Sequence, residues 1–108
     1  MGNVVPIQVT IDRDVIKAWA NRRKARPSTL MGDDRPWPLL FDFGPPDAGV
    51  REIGWDPFFA EFERANLAFV YRDAAPDGEL DDFYEFINRS AVPGLTLAAK
   101  STIIARGI

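Results

Sequence analysis

Two groups of side chains carry enough charge in a short span to suggest chemistry. Residues 12–26 hold Arg13, Lys17, Arg22, Arg23, Lys24 and Arg26 against only Asp12 and Asp14. Such a cluster is what a phosphate-contacting patch on nucleic acid needs, and Lys17, Arg22, Arg23, Lys24 and Arg26 are the residues that would form it. It is equally what the dipole of a helix favours, with acids at the start and bases at the end. The second group is acidic: Asp73, Asp77, Glu79, Asp81, Asp82 and Glu85 fall within one stretch that contains no base. A divalent cation would need several of these oxygens to converge, and their spacing does not match a calcium-binding helix-loop-helix pattern. A solvated loop accounts for them better. General acid or base work needs a carboxyl shifted by burial or by a neighbour, which an exposed loop does not supply.

The residues that are missing exclude more. The chain of 108 residues has no His and no Cys. Imidazole and thiolate metal sites, Ser-His and Cys-His catalysis, and disulfides are therefore ruled out. No metal or other cofactor is expected. The net charge of −3 argues against broad attraction to nucleic acid or to membrane surfaces. No apolar run of about 20 residues is present to span a membrane, and the start Met1–Pro6 lacks the pattern of a signal peptide. A cytoplasmic location is expected, which the lack of Cys suits.

Apolar side chains offer a different kind of chemistry, that of contact. Twelve of the thirteen aromatic residues lie between Trp37 and Phe86. Trp55, Phe58, Phe59 and Phe62 read as core. Trp37, held between Pro36 and Pro38 at a turn, is harder to bury and reads as a contact point. After Pro93-Gly94, the apolar residues Leu95, Leu97, Ile103, Ile104 and Ile108 recur without any acid. This 91–108 tail is expected to dock on its own domain or on a partner.

Several elements must position these groups. Val5, Ile7 and Val9 alternate as in a short first strand. Asp12 is a good N-cap for a helix, with Ile11 and Ile16 placed as a hydrophobic staple and Val15, Ile16, Trp19 and Ala20 on one face. Pro27 predicts the end of that helix near 24–26. Residues 28–31 and 37–43 read as a hairpin around the turn 32–36, with Leu39, Phe41 and Phe43 on one side. Residues 44–49 read as a loop. A second helix begins at Gly54 or Asp56. Asp56 is the more attractive cap because Pro57 would then be the first helical residue. Phe58, Phe59, Phe62 and Ala65 form its apolar face, Glu61, Glu63 and Arg64 point to water, and Asn66 ends it. Residues 67–72 and 83–88 read as a hairpin with a long loop. The expected fold is α+β. Residues 1–90 make one small domain in the order α-β-β-α-β-β, with an antiparallel sheet, the helices on one face of it, and an additional N-terminal strand.

Three segments resemble a family of small, uncharacterised bacterial proteins. Ile16-Lys17-Ala18-Trp19-Ala20-Asn21-Arg22 is similar to its "I-x-x-W-A-x-R" helix, and Leu40-Phe41-Asp42-Phe43-Gly44 to its "R-I-D-F-G" strand end. Trp55-Asp56-Pro57-Phe58-Phe59-Ala60-Glu61-Phe62, continued by residues 67–71 and 83–86, resembles "S-W-D-E-F-F-x-x-F", "L-x-x-L-Y" and "F-[FY]-x-[FL]-V". The match covers residues 12–90. It departs at Gly54, where the family has a cap Ser, and at Pro57, where it has the Glu of a capping box. Some members carry the label 1,4-alpha-glucan branching enzyme. Such enzymes are built on a (β/α)₈ barrel of about 250 residues, which cannot fit in this chain, so the resemblance implies a fold and no glucan chemistry.

Taken together, the residues predict a non-catalytic interaction or regulatory module that binds another protein or itself, through Trp37, the apolar tail and the charged ends. The alternative is a small nucleic-acid-associated protein using the basic end of the first helix. A lesser alternative is an antitoxin or immunity-type inhibitor whose acidic loop covers a basic active site.

Overall fold

The computed structural model describes residues 7–32, 38–73 and 82–92, together with the backbone of 102–105. Its class is α+β, as expected. The elements run β1 (Ile7–Thr10), α1 (Arg13–Arg22), β2 (Arg26–Leu30), β3 (Leu39–Asp42), β4 (Val50–Glu52), α2 (Trp55–Arg64), β5 (Leu67–Tyr71) and β6 (Tyr84–Asn88). A 3₁₀ turn (Arg89–Ala91) and β7 (Thr102–Ala105) follow. The strands form two antiparallel sheets, ordered β6-β5-β1-β7 and β3-β2-β4. The chain divides into two compact units. One comprises the described residues of Met1–Ile16 and Asn66–Ile108, the other Lys17–Ala65.

In the first unit, β5 is apolar at every position, Leu67-Ala68-Phe69-Val70-Tyr71, and all five residues are buried. A continuous apolar run of this length is the mark of a strand covered on both faces. It pairs with β6 on one side, Phe69 opposite Phe86, and with β1 on the other, Val9 opposite Val70. The tail enters here. β7 pairs antiparallel with β1, Val9 opposite Ile103 and Gln8 opposite Ile104. Asp12 caps α1 as its sequence position predicts: its Oδ1 accepts from the backbone N–H of Asp14 at 2.9 Å and of Val15 at 3.4 Å. Both staple residues, Ile11 and Ile16, are buried.

In the second unit, the predicted hairpin forms between β2 and β3, Pro27 opposite Phe41 and Thr29 opposite Leu39. The strand β4, for which the sequence pattern predicts no element, adds to the far side of β2. This makes β2 central although it contains Pro27. The conflict is resolved at the end of the ladder, where the Pro27 carbonyl accepts from Ile53 N–H at 2.9 Å and no donor is required in return. Buried Thr29 spends its hydroxyl on the Pro38 carbonyl at 2.8 Å, and Ser28 spends its own on the Arg26 carbonyl at 2.9 Å.

The ends of the two helices differ from the simplest reading. The last turn of α1 closes with Ala25 N–H donating to the Ala20 carbonyl at 2.9 Å and Lys24 N–H to that of Asn21 at 3.2 Å. Lys24 has φ of 55°. These are the two bonds of a Schellman motif, with a lysine at the left-handed position that glycine usually holds. At the other helix, the cap is Gly54 and not Asp56, so Pro57 sits two residues inside the first turn, where its missing N–H is still tolerated. Gly54 has φ 73° and ψ 169°. That region is open essentially to glycine alone, which accounts for a glycine at this cap.

Candidate interaction surfaces

The aromatic residues read as core do form one in the second unit. Phe58 and Phe62 are fully buried, Phe41 and Phe59 nearly so, and Trp19 is also buried. Their rings meet edge to face or in offset stacks. Phe41 lies 5.3 Å from Phe58 and 5.6 Å from Trp19, and Trp55 stacks on Phe59 at 5.4 Å. Such geometry adds to the burial energy of each ring. It also shows that Trp55, Phe58, Phe59 and Phe62 fill one another's space.

The same packing draws in charges that the sequence had assigned to water. Glu61 is buried, and Arg64 brackets its carboxylate with Nε on Oε1 at 2.9 Å and Nη2 on Oε2. Arg64 itself is half exposed, so its guanidinium shields Glu61 from solvent. Of the five basic residues proposed for phosphate contact, Arg23 is buried: its guanidinium lies 4.3 Å from the Trp19 ring centroid and donates to the Trp19 carbonyl at 3.0 Å. Arg26 donates to the Gly44 carbonyl at 2.7 Å and pairs with Asp42 at 3.1 Å. Lys17 is half-buried on α1, and Arg22 and Lys24 are exposed at its end. Arg23 and Arg26 are thus engaged by local structure, Arg23 by lying back along α1 and Arg26 by contacts to residues of the β3–β4 loop and β3.

The acidic group is only partly described. Asp73 accepts from Gln8 Nε2 at 2.7 Å, Asp82 is exposed, and Glu85 is exposed on β6 opposite Val70. Asp77, Glu79 and Asp81 lie outside the described residues. Among the described residues no group of three or more metal-ligating side chains gathers as a metal site would require. Nor is any described helix long and apolar enough to cross a membrane.

Of the apolar contact candidates, Trp37, Leu95, Leu97 and Ile108 lie outside the described residues. Ile103 and Ile104 fall in β7, paired with Val9 and Gln8. The sequence reading missed a different pair. Leu30 and Met31, at the end of β2, are 47% and 55% exposed. Met31 is held there by its N–H, which donates to the Gly49 carbonyl at 3.0 Å. Its signal was an apolar pair directly before Gly32, at the point where β2 ends.

The chain matches no protein-family model, no curated protein and no solved structure.

Proposed function

We propose that this protein is a non-catalytic interaction or regulatory module that binds another protein or a second copy of itself, in the cytoplasm. The observation that carries the reading is the exposure of Leu30 and Met31 on a backbone pinned by the Met31–Gly49 hydrogen bond. Leu30 and Met31 offer apolar area to a partner at the end of β2, and this supports the reading. Polar groups that could have supplied chemistry support the same reading by what they already do. Asp12 caps α1, Asp42 pairs with Arg26 and accepts from Asp47 N–H, Asp47 accepts from Gly49 N–H, and Glu61 holds Arg64. Each of these carboxylates serves the fold.

The test is capture of a partner from host lysate by the full chain, beside a Leu30→Ser, Met31→Ser double variant. The variant should melt within a few degrees of the parent, since both side chains are exposed, and should lose the captured protein or its own self-association. Retention of both by the variant would remove this surface from the reading.

A further inference from the structure

Met31 is one of two methionines in the chain, and no cysteine accompanies them. The other, Met1, lies outside the described residues. Without a thiol, a thioether is the side chain most open to mild two-electron oxidation, and its reactivity follows its access to solvent. Met31 is 55% exposed, and Leu30 beside it is 47% exposed.

The backbone under Met31 is fixed by a series of hydrogen bonds. Its N–H donates to the Gly49 carbonyl at 3.0 Å. Gly49 N–H donates in turn to Asp47 Oδ1 at 2.8 Å, and Val50 N–H to the Asp47 carbonyl at 3.1 Å. Asp47 N–H donates to Asp42 Oδ2 at 3.2 Å, the carboxylate that pairs with Arg26. None of these bonds uses the thioether. Oxidation at the sulfur therefore changes the polarity of the side chain and leaves the fold beneath it in place.

We infer, on the reading of Leu30 and Met31 as a contact surface, that Met31 is a reversible oxidation site that regulates that contact. The oxidant is a peroxide. The Met31 sulfur lone pair attacks one peroxide oxygen, and the S–O bond forms as the O–O bond breaks. The proton on the transferred oxygen passes to the departing hydroxide to give water. Sulfur loses two electrons and the peroxide gains them. The sulfoxide puts a strongly dipolar group on the apolar area that Leu30 and Met31 offer. A partner that covers them through apolar contact must then bury that dipole without a hydrogen bond, which weakens the contact by roughly tenfold or more. Methionine sulfoxide reductases return the thioether, their own thiols supplying the two electrons and the oxygen leaving as water. The reduced chain makes the contact and the oxidised chain releases it.

Treatment of the full chain with hydrogen peroxide, followed by peptide mass mapping, should place one oxygen on Met31. The treated chain should melt within a few degrees of the untreated one. Its hold on the captured protein, or its own self-association, should weaken by roughly tenfold or more. Incubation with reductases for both sulfoxide epimers should restore it. Met31→Leu should keep the association before and after peroxide. Met31→Gln, which carries a polar amide on an unbranched side chain, should lose it without peroxide. Association that survives oxidation of Met31, or that Met31→Leu loses equally on treatment, overturns the inference. The two readings fail separately. If the Leu30→Ser, Met31→Ser variant loses its partner while the Met31 sulfoxide keeps it, the contact surface stands and only the redox inference falls. If the serine variant also keeps its partner, or the reduced chain associates with nothing, both fall.

Discussion

Arg23 lies against Trp19 from two directions at once: its guanidinium carbon is 4.3 Å from the indole centroid, and its Nη1 donates to the carbonyl of the same tryptophan. A side chain that looks like part of a basic patch is therefore a structural piece. Arg23→Ala should destabilise the protein by about 1–3 kcal/mol, combining the loss of a desolvated cation–π contact with lost packing. Arg23→Lys should recover only part of this, because the ammonium cannot lie flat on the ring. Urea titration of the three proteins, compared by midpoint, measures both effects.

The lysine that follows is expected to act in the opposite sense. Lys24 occupies the left-handed position of the Schellman motif at φ 55°. Lys24→Gly should raise stability by up to about 1 kcal/mol, the cost a non-glycine residue carries there less the entropy glycine adds to the unfolded chain. Lys24→Val should lower it. A thermal melt of each variant gives the sign.

Gly54 provides a case where introducing an apparently better cap should bring no gain. Ser is among the best N-cap residues and is worth about 1 kcal/mol over an unsuited one. At φ 73° and ψ 169°, however, a β-carbon is strained by roughly 1–3 kcal/mol, although no neighbouring atom lies in its way. Gly54→Ser is expected to be neutral to destabilising, and Gly54→Ala, which gains no hydrogen bond, more strongly destabilising. Midpoints from guanidinium unfolding separate the two.

Phe58 is fully buried and stacks on Phe41 while meeting Trp55 and Phe59 edge to face. Phe58→Ala should cost about 3–5 kcal/mol, and Phe58→Leu a smaller fraction because it retains most of the volume. Tryptophan fluorescence should shift to the red in the alanine variant, since water gains access near Trp55.

Nucleic-acid binding through the end of α1 has a sharp signature, a steep fall in affinity with salt. With Arg23 buried and Arg26 paired to Asp42, a shallow salt slope and weak binding are expected. The informative variant is Arg22→Glu with Lys24→Glu, since both residues are exposed, whereas a charge reversal at Arg23 would disturb the core. Tight binding that collapses in this double variant would restore the nucleic-acid reading.

Asp12 at the start of α1, the staple of Ile11 and Ile16, the stop at Asn66 and the aromatic face of α2 were all legible from spacing alone, because caps and helix faces depend on residues three or four positions apart. Both hairpins were legible too, since each joins neighbouring apolar runs across a turn. What tertiary structure decided was partnership at a distance. The pairing of β1 with β5 and β7, the separation into two sheets, and the addition of β4 beside a strand that contains Pro27 all depend on hydrogen bonds between segments far apart in the chain. The fates of Glu61 and Arg23 belong to the same class. Charge alone places both in water, and only the arrangement of Arg64 and Trp19 around them makes burial the lower free energy.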